Sequence, residues 1–335
     1  MERGEALELL EHGTIFDMGK RADSARRNLH GNIAYYSVNA AVTYSNICQT
    51  LCPICSFARR EGSEGAYLLT PAQAHERAVK FAEKGAREIH IIGGMNPKLP
   101  LDYYLDFVRS VKSAGDGINI VAFTVSECVL MSRVSGKPLD EVLKMLMEAG
   151  VNALPGGGAE IFDDSIRSKI SPNKLRAEEW LDAMRTAHLC GLKTNATMLY
   201  GHIETPESVV DHLLRLRGLQ DETGGFKAFV PLPYRRGKSD ISSKSSGIYD
   251  IKITALARIV LDNFPHIRVP ITHFGDRQAQ VLLNFGADDI GGTHWMEEVA
   301  VSAGAKRTER TESFMRSIIS AAGFEPLGGN SNYAF

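Results

Sequence analysis

One unit recurs along the chain: a short apolar strand, a polar loop, an amphipathic helix and a closing glycine. The strands fall at residues 38–44, 88–92, 119–123, 151–154, 192–199, 226–231, 267–272 and 288–290. Between them apolar residues repeat at helical spacing, as in Ala74, Ala78 and Phe81, in Leu101, Leu105, Val108 and Val111, and in Val142, Leu143, Leu146 and Met147. Thr70-Pro71-Ala72-Gln73 reads as a capping box with proline at the first helical position, while Gly85, Gly150 and Gly191 close helices. Strands and helices alternating in this way imply parallel strands joined by right-handed crossovers. Eight units in roughly 260 residues predict an α/β fold, a single (β/α)8 TIM-type barrel, with a doubly wound open sheet as the competing architecture. The barrel is expected over 31–304, with a helical extension at 1–30 and a C-terminal helix and tail at 305–335.

A barrel of this kind carries its site at the C-terminal ends of the strands. The polar and glycine-rich stretches fall there: 45–59, 93–94, 126–127, 156–160, 201–204, 231–236, 273–277 and 291–294. Composition narrows what such a site serves. With 38 Lys+Arg against 40 Asp+Glu the formal charge is −2, which gives no general reason to bind nucleic acid or an anionic membrane. No apolar run approaches bilayer length, and MERGEALELLEHG lacks the apolar core of a secretory signal, so a cytoplasmic enzyme is expected.

Five cysteines in 335 residues do not make a disulfide framework, but three of them lie within eight residues. Cys48, Cys52 and Cys55, in ICQTLCPICSF, have the spacing C-x3-C-x2-C directly after the first strand. Structural zinc usually takes four protein ligands in paired spacings, and no second C-x2-C exists here. Three thiolates on one short loop suit an iron–sulfur cluster with one iron open to a small ligand. Cys128 and Cys190 are isolated and read as small buried hydrophobes.

Other residues on the same face carry two readings each. Gly93 and Gly94, in IHIIGGMNP, suit either a tight turn or a close backbone approach to a ligand. Glu127 and Glu160 are strand-end carboxylates that either hold ligand hydroxyl or ammonium groups or are simply solvated. The fifth strand, TNATMLYGHIET, puts Asn195 and Thr197 on one face, suited to a ligand or to interior packing. His202 and Glu204 follow at its mouth, where they suit proton transfer. His90 suits the core or a substrate equally. Arg235, Arg236 and Arg277 suit an acidic substrate, although most surface arginines bind nothing specific. A metal-dependent hydrolase would carry His-x-His on the first strand, and residues 38–44 contain none.

The cysteine motif on the first loop of a parallel barrel resembles the radical S-adenosylmethionine superfamily. PGGGAEIF, NATMLYGHIET, LLRLRGLQDETGGF and LNFGADDIGGT look like the futalosine-pathway menaquinone enzymes and their relative in deazaflavin biosynthesis. Within that branch NATMLYGHIE is most similar to the aminofutalosine synthase family. The resemblance implies a 4Fe–4S cluster on Cys48, Cys52 and Cys55, with S-adenosyl-L-methionine held by Phe57, Gly93, Gly94, Glu127 and Glu160. It implies addition of a 5′-deoxyadenosyl radical to 3-[(1-carboxyvinyl)oxy]benzoate, giving 6-amino-6-deoxyfutalosine. His202 and Glu204 would then be catalytic, and His90, Asn195, Thr197, Arg235 and Arg277 would face this small aromatic dicarboxylate. An electron donor such as flavodoxin or ferredoxin is the implied partner. The alternatives are a dehypoxanthine futalosine cyclase, a deazaflavin synthase-like enzyme or a non-catalytic iron–sulfur protein. Two places depart from the family pattern: Ile54 stands where an aromatic residue is usual, and Tyr234-Arg235-Arg236 replaces a Phe/His-containing segment.

Overall fold

The structure is a computed structural model and describes residues 1–306 and 309–333. The strands are β1 (Ile33–Ser37), β2 (Asn39–Ala41), β3 (Glu88–Ile91), β4 (Asn119–Ala122), β5 (Ala153–Leu154), β6 (Lys193–Tyr200), β7 (Phe226–Pro233), β8 (His266–Ile267), β9 (Asp289–Gly292) and β10 (Glu325–Gly329). β2 to β8 pair in sequence order, all parallel, as one seven-stranded sheet curled into a partial barrel. β10, β1 and β9 form a second, three-stranded sheet.

The anticipated eighth strand, β9, therefore does not extend the main ladder. It meets one edge at a single bridge, Arg268–Asp289, where the Val269 N–H donates to the Asp289 carbonyl at 2.7 Å. The chain beyond it meets the other edge at Ala40–Trp295, with the Ala41 N–H donating to the Trp295 carbonyl at 2.8 Å. Left-handed backbone at Gly291 (φ +79°) and His294 (φ +47°) interrupts the strand, so the edges are joined by isolated bridges rather than a full ladder. The first strand begins earlier than its apolar pattern suggests. Ile33–Ser37 pairs with β10 and β9, and only Asn39–Ala41 pairs with β3.

Local chemistry explains the helices that enclose the sheet. In Pro71–Glu83 the Thr70 hydroxyl accepts from the Gln73 N–H while the Gln73 side chain accepts from the Thr70 N–H. Its buried face is Ala74, Ala78 and Phe81. Leu101–Lys112 buries Leu101, Leu105, Val108 and Val111 in the same manner. The helices Arg3–His12 and Ile15–His30 pack against Pro206–Thr223 and Gly247–Val260. Among the described residues, no helix is long and apolar enough to cross a membrane.

The N-terminal end of the barrel is closed by buried charges. Asp288, fully buried, pairs with the buried Arg258 guanidinium and lies 2.5 Å from His266 Nδ1. Asp289 pairs with Arg268 at 2.7 Å and accepts from the Tyr333 hydroxyl at 2.7 Å. Tyr333 stacks on the His266 ring, centroids 3.4 Å apart. Ser331 and Asn332 receive the Lys227 ammonium, and the Ser331 N–H donates to Glu88. The tail thus completes the barrel floor.

Burial alone would raise the Asp288 pKa, but Arg258 and His266 outweigh it and hold it at about 2, below its ordinary 3.8. A depressed carboxylate stabilises the fold above its unfolded pKa and loses that stabilisation as pH falls through the folded value. Denaturant unfolding followed from pH 5 to pH 2 is expected to show a loss of about 2 kcal/mol from this group. Asp288→Asn should lose that increment of pH dependence and be less stable at neutral pH by about 3–5 kcal/mol, because Arg258 is left buried without its partner.

Candidate functional site

The C-terminal ends of the strands open on a cavity of about 370 Å³. Cys48, Cys52 and Cys55 line its mouth. They sit on an irregular loop tied down at both ends: the Cys48 N–H donates to the Arg59 carbonyl at 3.0 Å and the Arg59 N–H to the Asn46 carbonyl at 2.8 Å. The Arg59 guanidinium donates to the carbonyls of Ser56, Phe57 and Ala58, which holds the turn after the third cysteine. The Thr50 hydroxyl lies 3.0 Å from the Cys48 sulfur and 3.6 Å from that of Cys52. The Met95 N–H points at Cys48 Sγ (3.3 Å) and the Ala58 N–H at Cys55 Sγ (3.4 Å). Burial pushes the Cys52 thiol up, and Lys174 and Thr50 act in the opposite sense, toward thiolate.

Gly93 and Gly94 end β3 against the base of this loop. A Cβ on Gly93 would meet the Tyr44 ring at 2.6 Å and the Ser45 carbonyl oxygen at 2.8 Å, and one on Gly94 would meet the Ile47 carbonyl oxygen at 2.2 Å. Both line the cavity, and their smallness lets two backbones touch. Glu127 fixes this junction. It is the third residue of the helix Val125–Ser135, where it forms a capping box with Thr124. One oxygen accepts from the Thr124 N–H and hydroxyl, both at 2.7 Å; the other accepts from the Tyr44 hydroxyl at 2.7 Å and the Gly93 N–H at 3.1 Å. Burial pushes its carboxyl up, against the pull of these donors. Its oxygens are thus engaged by the protein.

Glu160 also lines the cavity, at φ +47°, and accepts from Lys174 at 2.6 Å. Burial alone would raise its pKa, but Lys174, Arg167 and His202 hold it below the ordinary value. Lys174 is held above its ordinary value by Glu160 and Cys52, against its own burial. Asn173 ties the same loop to the cysteine loop by donating to the Thr50 carbonyl at 3.0 Å.

Phe57, His90, Asn195 and Thr197 line the cavity as well. The Thr197 hydroxyl donates to the Gly156 carbonyl at 2.7 Å. Asn195 Oδ1 and Ser126 Oγ are buried in the cavity wall without a protein partner. Buried polar atoms normally find a partner, and these two have none from the protein.

Four of the anticipated residues lie elsewhere. His202 is buried beside the cavity, its Nε2 3.0 Å from the Leu199 carbonyl and its Nδ1 accepting from the Ile203 N–H. Glu204 accepts from the N–H groups of Gly201 (2.5 Å) and His202 (2.7 Å). Neither lines the cavity; together they satisfy a tight turn whose N–H groups have no strand partner. Arg235 donates to the His273 carbonyl in a separate groove formed with Tyr234, Ser243 and Asp250. Arg277 is exposed on the helix Asp276–Leu282. Thr50, Ser126 and His294, from the polar stretches 45–59, 126–127 and 291–294, also line the cavity, as do Lys174 and Arg268, which lie outside those stretches. Thr50 was discoverable as the one hydroxyl between the first two cysteines; Lys174 carried no local signal.

This is a site of the radical S-adenosylmethionine type. The family model described as Radical SAM superfamily matches residues 42–216, and the chain belongs to that superfamily. A second model, described as CofH/MqnC C-terminal region, matches residues 223–335. The chain is 40% identical to an aminodeoxyfutalosine synthase of Thermus thermophilus, covering 93% of this chain and 86% of that one. It is 35% identical to a 5-amino-6-(D-ribitylamino)uracil–L-tyrosine 4-hydroxyphenyl transferase of Methanococcus maripaludis, covering 99% and 96%. The fold matches that of methylornithine synthase with a TM-score of 0.75 at 17% identity, covering 99% of this chain and 95% of that one. The protein is therefore an enzyme of radical chemistry, and the family implies a 4Fe–4S cluster, S-adenosylmethionine, a small-molecule substrate and an external reductant.

Glu127→Ala should lower stability by about 2–4 kcal/mol, since it strands the N–H groups of Gly93 and Thr124. Thermal melting checks the loss, and Glu127→Gln, which keeps an acceptor, should recover part of it.

Proposed function

We propose that the chain acts as an aminodeoxyfutalosine synthase in menaquinone biosynthesis. In this reading Cys48, Cys52 and Cys55 hold the cluster, and Phe57, Gly93, Gly94 and Glu160 border the cofactor. The donor set fits: three thiols share one loop, with N–H groups and a hydroxyl directed at the sulfurs and Lys174 favouring thiolate at Cys52. Bound there, the cluster supplies one-electron cleavage of S-adenosylmethionine.

The chain's own residues do the rest. Glu127 holds the Gly93 N–H and Tyr44 in place, which fixes the strand end beside the cysteine loop. Asn195 Oδ1 accepts a hydrogen bond from a hydroxyl or amino group of the bound ligand, and Ser126 Oγ supplies a second polar contact. The enclosing wall keeps water from the reactive carbon. The substrate in this reading is 3-[(1-carboxyvinyl)oxy]benzoate, which gains the deoxyadenosyl group and loses its enol-ether carboxyl to give 6-amino-6-deoxyfutalosine. A cytoplasmic flavodoxin or ferredoxin would supply the electron.

One observation carries the choice of this substrate over tyrosine. Among the described residues, every carboxylate lining the cavity is engaged: Glu127 by four donors, Glu160 by Lys174, and Glu297 by the N–H groups of Val299 and Ala300. The ammonium of an amino-acid substrate would have to share Glu160 with Lys174, and a diacid needs no carboxylate at all. The relatives of 35–38% identity named as hydroxyphenyl transferases favour the second reading, transfer to a ribitylaminouracil.

Protein reconstituted anaerobically with iron and sulfide, then given reductant, S-adenosylmethionine and the enolpyruvyl benzoate, should yield an adenosine–aryl adduct by mass spectrometry. Turnover of tyrosine with the diaminouracil instead, releasing 5′-deoxyadenosine, would refute the synthase reading. Cys52→Ala should reduce bound iron at least tenfold and abolish the adduct.

A further inference from the structure

β3 carries two inward side chains, Glu88 and His90, two residues apart and so on one face of the strand. His90 Nε2 lies 2.5 Å from Glu88 Oε1. Glu88 is fully buried, and its other oxygen accepts from the Asn119 amide and the Ser331 N–H, both at 2.7 Å. Burial would raise the Glu88 pKa, but His90, Lys227 and Arg268 hold it well below its ordinary value, so it is a carboxylate and accepts only. The proton between the two residues therefore sits on Nε2, and the orientation of the ring is fixed from below.

The other nitrogen, Nδ1, has no protein partner among the described residues, yet it is not among the buried unpartnered atoms. A fifth of the side chain is exposed, and the ring lines the cavity. Nδ1 thus opens on the site. The charged and titratable groups around the ring are Glu88 on its own strand and His294 after β9, with Lys227 of β7 and Arg268 after β8 reaching it through Glu88. Asn39 of β2 adds only a neutral amide, 3.5 Å from Nε2.

The other cations of the cavity are spoken for: Lys174 by Glu160 and Arg268 by Asp289. Burial holds His273 neutral down to about pH 4 and holds His294 well below its ordinary value. We infer that His90, oriented by Glu88, binds a carboxylate on the aromatic ring of the substrate, and that Glu88 is its positioning residue. The inference rests on the proposed diacid substrate and specifies which end of it is held where. His90 lies on β3, three residues before Gly93 and so about 10 Å further down the extended chain than the strand end that meets the cysteine loop. The reacting alkene belongs at the mouth and the ring carboxylate at depth. A cation at the depth is also the right partner for a carboxylate that survives. Binding the carboxyl that departs as neutral carbon dioxide would stabilise the reactant more than the transition state. A doubly protonated imidazole donates from both nitrogens, so with Nε2–H given to Glu88 the second donor, Nδ1–H, faces the carboxylate.

The test compares the enolpyruvyl benzoate with 2-phenoxyacrylate, which keeps the alkene and lacks the ring carboxylate. Wild-type enzyme should show a KM about tenfold to a hundredfold higher for 2-phenoxyacrylate. His90→Phe should lose that discrimination, with the KM for the diacid rising more than its kcat falls. Glu88→Gln should fall between, because the ring keeps an acceptor but loses the charge beneath it. Bound iron and thermal melting report whether each variant is folded, and the wild-type comparison stands without any variant. Binding of 3-hydroxybenzoate, measured by calorimetry, should be lost in His90→Phe. Equal KM values for the two substrates in an enzyme that forms the adduct would overturn the inference and leave the proposed function intact. Binding of 3-hydroxybenzoate that depends on His90, without adduct formation, would retain the carboxylate site and overturn the proposed function. No discrimination and no binding would overturn both.

Discussion

The mouth of the barrel depends on one buried carboxylate. Glu127 takes donors from three separate segments: Thr124 at the end of β4, Gly93 at the end of β3 and Tyr44 just before the cysteine loop. Removing a carboxylate from water costs several kcal/mol, and only a full set of donors offsets that cost. The four hydrogen bonds supply it, so the three segments are held together or the group fails. The same contact sets where Gly93 and Gly94 lie against the loop that carries the thiols. A helix cap has thereby become the joint between two strand ends and the cysteine loop.

The opposite end is built on a similar principle with more partners. Asp288, Asp289 and Glu88 each face a buried cation or imidazole, and the tail residues Ser331, Asn332 and Tyr333 fill the remaining hydrogen-bonding positions. The main sheet is closed only by isolated bridges at β9, so the floor charges supply cross-links that the backbone ladder omits there. Arg268 takes part at both levels, pairing with Asp289 on the floor and lining the cavity above. Floor and site are consequently one structure.

The strand–helix alternation and the cysteine spacing were legible because both are local. Strand order followed from crossover handedness, and the loop ligands needed only short-range spacing. The long-range features were not legible in the same way. Nothing in Ser331-Asn332-Tyr333 announces a segment that inserts under a barrel, since its partners Glu88, Lys227 and His266 are distant in sequence. His202 and Glu204 lie outside the cavity lining for a specific reason. Polar side chains at a strand mouth serve either the ligand or the turn itself, and the Gly201–Glu204 turn uses both to satisfy backbone groups. Arg235 and Arg277 lie away from the cavity because a strand mouth is wider than the cavity it surrounds. The departure at Tyr234-Arg235-Arg236 falls on the separate groove, so it bears less on the cavity than its position at a strand end suggests.

This pairing has a chemical consequence. A radical site that held unpaired charges would draw in water and buffer ions, and each bound solvent molecule would be a competing reactant. Here Lys174, Arg268, Glu127, Glu160 and Glu297 are all neutralised or saturated by neighbours, and burial keeps His273 and His294 neutral near pH 7. Among the described residues, the unpartnered side-chain atoms of the cavity include Asn195 Oδ1, Ser126 Oγ, the second oxygen of Glu160 and one nitrogen of His90. Recognition by so few groups favours a ligand that brings its own charge and matches them at fixed separations. A protein that spends its charges on its own joints leaves specificity to geometry, and geometry is what the Glu127 junction and the floor network hold constant.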